Sequence, residues 1–478
     1  MAKVNEFETA RYEYGGSRQR FSPEANLQYT YESADALLSN LSDLEKIIAH
    51  HQQHQVPRLD VLDDYYEGNN VDILTGQRRK EEHMADHRST HNFAKYVSQF
   101  IQGYLVGVPL KTVYPTDEID EKLKDLNRLN DADAHNSDLV LDLSIYGRAY
   151  ELLYRNQKDE NRFALVSPLE TFVIYDDTVD AQPIAGVRYV SRQFQDDETS
   201  VYVYTDNWTY EYRMSNDGTL SPVDEQAHFF GGVPIIEYSN NRFRQGDFED
   251  VLSLIDLYDS AQSDTANYMS DLNDAMLVIV GDLDIDVNQA KQQKEANLLM
   301  LQTEMNAEGR SSQASADYIY KKYDVGGTEA YKSRLENDIH KFTNTPNLND
   351  VAFGGNQSGE SMRYKLFGLE QKRAIKERLF KRSLRERYRL LNNVMTTASE
   401  GGFDVNDITI TFTPNLPKNI KEEIEMFNSL GGELSEETKL SVLSFVDNPQ
   451  EEMERIAAEQ PERSAYDFEG GNSDEDPS

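Results

Sequence analysis

The residues of this 478-residue chain whose types and spacing come nearest to a known chemistry lie in "FGGNQSGES", Phe353–Ser361. Gly354, four residues, then Gly359-Glu360-Ser361 has the spacing of a loop whose backbone amides cradle nucleotide phosphates. Glu360 stands where that loop requires lysine, so the charge is reversed where the terminal phosphate would lie. The preceding "TNTPNLNDVA" offers no buried strand to mount such a loop. A flexible glycine-rich loop is expected here, not a nucleotide site.

Three histidines form the next candidate. A helix is expected from about Glu81 to Val106, which puts His83, His87 and His91 on one face at i, i+4 and i+8. Two histidines four apart can share a metal, but the outer pair would be about 12 Å apart along the axis. Met84 sits where the zinc-protease motif needs glutamate, so a solvated or packed polar face is expected. "DLDIDVNQAKQQ" opens like a calcium loop with Asp282, Asp284 and Asp286. Val287 replaces the turn glycine and Gln293 the bidentate glutamate, so a strand with Leu283, Ile285 and Val287 inward fits better. No G-x-S-x-G elbow is present, and cysteine is absent. No catalytic, cofactor or metal-binding set is expected, and the chain reads as a non-enzyme.

Bulk charge narrows the class further. With 48 basic and 85 acidic residues the net charge is -37, which argues against a clinging nucleic-acid binder. The lack of thiols excludes disulfides and zinc–thiolate sites and fits assembly in a reducing cytoplasm. No run of about 18 apolar residues exists to cross a membrane, and the first residues lack the apolar core of a secretory signal.

The elements that must position any site follow from periodicity. Residues 1 to about 30 read as a loosely held, tyrosine-rich arm. Leu37, Leu41, Leu44 and Ile48 recur at helical spacing, and two helices are expected across 116–147. From about 145 to 240 the period becomes two, giving an antiparallel β region with Asp206-Asn207 as a hairpin turn. Asp247 is the expected N-cap of a long helix with Leu254, Tyr258, Ala261, Thr265, Tyr268 and Leu272 as its packing stripe. Residues 275–325 read as a small α/β module between two long helices. From Arg363 to Arg389 there are 11 basic and 3 acidic residues, a local reversal of the overall charge. Met362, Leu366, Leu369, Phe380, Leu384, Tyr388, Leu391 and Met395 make its apolar stripe, interrupted by Arg373 and Glu377. Pairing of this helix with acidic surfaces, those of neighbouring copies included, is expected over direct DNA contact or a plain solvated face.

Several segments follow one another in a telling order: "YYEGNNVDIL" (Tyr65–Leu74), "NFAKYVSQFIQGYLVGVPL" (Asn92–Leu110), "SIYGRAYELLY" (Ser144–Tyr154), "VPIIEYSNN" (Val233–Asn241) and "LIDLYDSAQSD" (Leu254–Asp264), then the stretch from Leu335 to Lys372. Their order and spacing resemble the portal proteins of tailed double-stranded DNA phages, the siphophage type from Gram-positive hosts. The resemblance implies an α+β portal fold in the following parts: an N-terminal arm and helix (1–60), a wing of helices and antiparallel β structure (61–246), a first stem helix (247–274), a clip (275–327) and a second stem helix (328–343). A tunnel loop (344–361), a long basic wing helix with a strand (362–415), a helical crown (416–460) and a disordered acidic tail (461–478) would complete the chain.

By the same resemblance the chain would form a homo-oligomeric ring, typically of twelve subunits, around a tunnel for double-stranded DNA passing without sequence specificity. Its partners would be terminase, a head-completion adaptor, scaffold and the major capsid protein. It would reside in the virion at the portal vertex, after assembly in the host bacterial cytoplasm. Residues expected at the DNA tunnel are Asn344, Asn347, Asn349, Asp350, Gly354, Gly355, Asn356, Gln357, Gly359 and Glu360. Those expected to dock partners on the clip are Asp282, Asp284, Asp286, Lys291, Lys294 and Arg310, and the inter-subunit basic residues are Arg373, Arg378, Arg382 and Arg385. Glycines and asparagines suit a loop that changes shape as a duplex slides past, and acid repeated around a ring keeps phosphates from sticking. The competing readings are a nucleotide- or metal-dependent enzyme and a non-portal acidic scaffold or DNA mimic.

Overall fold

The computed structural model describes residues 20–76, 78, 85–191, 199–271, 276–280, 288, 291–292, 315–319, 323–348, 364–415, 420–430, 434–441, 443, 446, 449–450, 452–453 and 455–457. The chain divides into two compact units, Met1–Asn347 with Gly368–Thr413, and Leu348–Phe367 with Pro414–Ser478.

The first unit begins with β1 (Tyr29–Tyr31), α1 (Ala34–Ser39), α2 (Leu41–His50), a π turn (His51–Gln55), α3 (Val56–Glu67) and α4 (Val71–Leu74). Then come α5 (Phe93–Val106), β2 (Lys111–Val113), α6 (Asp117–Leu129) and α7 (Ala132–Tyr146). Strands β3 (Arg148–Arg155), β4 (Asn161–Val166), β5 (Thr171–Asp176), β6 (Pro183–Ser191), β7 (Thr199–Tyr204), β8 (Trp208–Met214), β9 (Leu220–Ala227) and β10 (Ile235–Ser239) follow. A 3-10 turn, Glu249–Val251, leads into α8 (Leu252–Asp271), then β11 (Met276–Val280), β12 (Ser315–Ile319), α9 (Val325–Thr343), α10 (Phe367–Thr397) and β13 (Thr409–Thr411). In the second unit α11 (Ile420–Ser429) and α12 (Glu436–Leu440) are described, the latter capped by Ser435, whose hydroxyl accepts from the Thr438 amide.

A six-stranded sheet of order β1-β5-β6-β7-β8-β9 carries one core. Apolar residues alternate along β7, so one face can be buried, while β5 is buried from Thr171 to Ile174 and turns Phe172 and Ile174 to that same face. There Phe172, Ile174, Val187, Val201 and Val203 pack against Leu37, Leu44 and Ile48 of α1 and α2. The α1–α2 column is broken at Asn40, where a single helix was expected. The Asp206-Asn207 turn closes β7 on β8 with Tyr204 opposite Thr209. A second core gathers Leu105, Leu139, Val140 and Leu143 from α5 and α7, Leu153 and Tyr238 from the β10-β3-β4 sheet, and Phe380, Leu384 and Leu391 from α10.

Two local expectations fail. The described part of the N-terminal arm is not loose, because β1 pairs in parallel with β5, Tyr29 opposite Ile174. Helix α5 starts at Phe93, not near Glu81: the Asn92 side chain accepts from the Lys95 amide, and residues 85–92 are non-helical. Capping by Asn92 competes successfully with the weak upstream helical pattern.

Candidate functional site

Among the described residues, a dense set of ties gathers at the junction from which α8 departs. Helix α7 ends at Gly147, whose φ of +81° is the left-handed conformation that terminates helices. A Cβ there would lie 2.2 Å from the Arg244 carbonyl oxygen, and one on Gly246 would lie 2.4 Å from that of Ile145. The two glycines let the end of α7 and the 240–249 turn touch backbone to backbone. Carbonyls left unpaired at the helix end then find donors: the Asp247 amide donates to Ser144 O at 2.8 Å, and Arg58 Nη2 to Tyr146 O at 3.4 Å. Arg58, itself buried, also grips Glu249 through Nε at 2.8 Å and Nη2 at 2.6 Å.

Asp247 is not a helix cap. α8 begins only at Leu252, and the Asp247 carboxylate is wholly buried between two lysines of α10. Lys372 Nζ lies 2.9 Å from one oxygen and Lys376 Nζ 2.5 Å from the other. Asn240 joins them, donating to Asp247 and accepting from Lys376. Burial alone would raise the Asp247 carboxyl, but the two ammonium groups hold it well below the ordinary range. Lys376 is pushed down to about 8, chiefly by burial, with Asp247 opposing and the like charge of Lys372 adding to the effect.

Farther along α10, Arg387 is wholly buried and pairs with Glu151 of β3 at 2.6 Å. Its guanidinium lies over the Phe163 ring, 4.4 Å from the centroid. Glu151 also meets His135 Nε2 at 2.7 Å and the Tyr238 hydroxyl at 2.9 Å. The buried face of α10 therefore reads Lys376, Phe380, Leu384, Arg387, Leu391, with two cations inside the apolar stripe. Sequence reasoning expected the basic helix to pair with acidic surfaces, those of neighbouring copies included, and did not single out Lys376 or Arg387, since nothing local distinguishes a buried cation from a solvated one.

Helix α8 buries a polar ladder. Asp259, Ser263 and Asn267, four residues apart, are fully buried, whereas Tyr258, Ala261, Thr265 and Tyr268 of the expected stripe are only half-buried. Along this ladder runs the extended segment 85–92. His87 N donates to Asn267 Oδ1 at 2.6 Å, Ser89 N donates to Ser263 Oγ at 2.9 Å, and His91 Nδ1 lies 2.8 Å from Asp259 Oδ1. Asn70 donates to the other Asp259 oxygen. The match is geometric: four helical residues rise about 6.0 Å and two extended residues about 6.6 Å, so the two registers coincide. His87 and His91 thus serve as rungs rather than as a helical face, and His83 lies outside the described residues.

The half-buried side of α8 meets α9. Tyr268 stacks on Tyr323 at 4.5 Å between centroids, and Lys332 Nζ donates to Gln262 Oε1 at 2.7 Å, so the helices run antiparallel. Phe93, at the start of α5, contacts Tyr258 edge-on at 5.1 Å and His340 at 6.3 Å, bracing both. Past this pair, β11 and β12 form an antiparallel ribbon, Met276 opposite Ile319.

Of the residues singled out from sequence, Arg373 pairs on its own helix with Glu370 at 3.0 Å and Glu377 at 2.5 Å. Arg378, Arg382 and Arg385 are exposed, have no ion-pair partner among the described residues, and line an open depression with Asn392, Phe403 and Asp404. Asn344 ends α9 in the left-handed conformation, φ 58°, and Asn347 Nδ2 donates to Glu336 at 2.8 Å. Lys291 is exposed. Asn349, Asp350, Gly354, Gly355, Asn356, Gln357, Gly359, Glu360, Asp282, Asp284, Asp286, Lys294 and Arg310 lie outside the described residues, as do the phosphate-loop and calcium-loop patterns. No helix among the described residues is long and apolar enough to cross a membrane.

The buried charge of this junction clamps helices together, and the antiparallel pair α8–α9 leads to a β ribbon, an arrangement that suits a structural protein. The sequence from residue 45 to 465 matches the family of phage portal proteins described as SPP1 Gp6-like, and the chain belongs to that family. Its role is the structural one of a portal at the capsid vertex of a phage. It is similar to the portal protein of Bacillus phage SPP1, 25% identical over 425 residues, covering 84% of this chain and 82% of that one. It is also similar to the portal protein of Clostridium phage phiCD119, 24% identical over 448 residues, covering 87% and 96%. The solved "Neck of empty GTA particle computed with C6 symmetry" overlays at a TM-score of 0.40 with 12% identity, covering 73% of this chain and 88% of that one, a likeness too loose to carry an argument.

Proposed function

We propose that copies of this chain close into a ring, typically of twelve, whose central channel conducts double-stranded DNA during packaging and ejection. In this reading α8 and α9 are the stem, the region around β11 and β12 the clip that docks terminase and then the head-completion adaptor, and 344–361 the tunnel loop. Residues 61–246 and 362–415 are the wing, and 416–460 the crown. Scaffold and the major capsid protein surround the ring, which assembles in the host cytoplasm and ends in the virion.

The observation that carries the reading is the bracing of α8 and α9. Buried ion pairs hold the start of α8 against the wing and the polar ladder runs along its length, while the β11–β12 ribbon lies beyond its far end. Such a support suits an element that bears load between a capsid and a motor. Arg378, Arg382 and Arg385 remain available to pair with acid on the next copy, which a chain of net charge -37 has in excess. Weak affinity for the cargo follows from the same charge, because few phosphates are neutralised.

Electron microscopy and light scattering of the purified chain test the proposal. Rings with a central hole, many times the mass of one chain, are expected. A sharp monomer at all concentrations and salts would overturn it.

A further inference from the structure

The sequence drew attention to His83, His87 and His91, but the fold assembles a different set. Glu24, His50 and His54 each offer one ligand atom, and the three atoms all lie within 4.8 Å of one another. Glu24 comes from the 3-10 turn Pro23–Asn26, His50 is the last residue of α2, and His54 lies in the π turn. Four residues apart on a helical column, the two imidazoles face the same side, with ring centroids 4.5 Å apart. The widened π turn sits between the end of α2 and α3, a feature often found where a helix serves a site.

Two further distances favour ligation. His54 Nδ1 lies 3.6 Å from Glu24 Oε2. Ligands held at about 2.0–2.1 Å around a tetrahedral ion are about 3.4 Å apart, so the Glu24–His54 pair is already near that spacing and the other atoms, within 4.8 Å, close on it by side-chain rotation. His50 Nδ1 is 3.0 Å from the Tyr29 hydroxyl. When Nδ1–H donates to that oxygen, the Nε2 lone pair is free for a metal, with Tyr29 as the outer partner that orients the ring.

We propose that Glu24, His50 and His54 form a binding site for a divalent transition metal of the zinc class, which fastens the N-terminal turn to the α2–α3 column. Two nitrogen donors and one carboxylate suit zinc or cobalt and disfavour calcium and magnesium, which take oxygen ligands. Solvent completes the coordination shell. The fastened segment also carries Arg20, paired with Asp256 of α8 at 2.6 Å, and Asn26, which bonds Arg148. Metal would thus hold in place a segment that itself braces α8.

The test uses the full chain, stripped with chelator and titrated with Co2+ alone. One ion per chain, with the strong visible bands of a low-coordinate cobalt site that Zn2+ bleaches, is expected. His54→Ala should abolish the bands, and Glu24→Gln, at an exposed carboxylate, should weaken binding roughly tenfold or more. A His87→Ala/His91→Ala variant should bind as the parent does. Zn2+ should slow proteolysis around residues 20–27 in the parent but not in His54→Ala. Absence of the bands, or bands unchanged in both His54→Ala and Glu24→Gln, would overturn the site. A Glu24–His54 ion pair without metal would leave proteolysis indifferent to Zn2+.

Discussion

Glu151 and Arg387, 236 residues apart in sequence, meet at 2.6 Å with both side chains wholly excluded from solvent. Burial by itself would raise the Glu151 carboxyl, yet Arg387 and His135 hold it below its ordinary range. The pair fixes α10 to the central strand of the β10-β3-β4 sheet. Each partner is tolerated in the interior only because the other is there.

Removing one partner strands the other. Arg387→Met should destabilise the fold by about 3–5 kcal/mol, and Glu151→Gln by a similar amount. The double variant Glu151→Gln/Arg387→Met should cost clearly less than the two singles summed, as denaturant unfolding would show. Simple additivity would mean the pair is not coupled.

Asp247 serves two lysines, so its loss and theirs should differ. Asp247→Asn leaves Lys376 buried without a counter-charge and should cost about 3–5 kcal/mol. Lys376→Met leaves Asp247 paired with Lys372 and should cost much less. Equal destabilisation in thermal unfolding would contradict this division of roles.

The polar ladder predicts a local effect. Asn267→Leu or Ser263→Ala leaves the amide of His87 or Ser89 without its acceptor, at about 1–3 kcal/mol. Hydrogen exchange at 85–91 should quicken before exchange in the α10 core does. Unaltered protection there would show that the segment is held by other contacts.

Asp142, on α7, is raised from 3.8 to about 7 by burial, with the charges of Asp138 and Asp63 adding to the effect. Its folded value lies above its unfolded one, so the folded state binds the extra proton between about pH 4 and 7. Stability is therefore lost as pH rises through that window. Asp142→Asn should stabilise the protein at pH 8 by roughly 1–2 kcal/mol, allowing for partial exposure, and by nothing near pH 4. A gain independent of pH would point to packing instead.

Reversing Arg378, Arg382 and Arg385 to glutamate tests the exposed face of α10. These residues have no ion-pair partner among the described residues, so the monomer's circular dichroism and melting should change little. Ring assembly should fail. Intact rings with weakened DNA retention would reassign the stripe to the tunnel.

The sequence by itself determined what depends on local period and on composition. Alternation marked β3 to β8, the Asp206-Asn207 turn marked their hairpin, and helical spacing marked α6, α7 and α9. The order of motifs carried the family, and the absence of thiols excluded whole classes of chemistry. Tertiary structure alone decided which charges are buried. Asp247 looks like a cap until Lys376, 129 residues later, is found beside it. His91 looks like one side of a helix until Asp259, 168 residues on, is seen to hold it. Lys376 and Arg387 have the same local setting as Arg378 and Arg382, yet the first two face β-strand carboxylates and loop acids while the others face water. A charged side chain carries no local mark of burial, because the free energy that permits it comes from a partner brought near only by the completed fold.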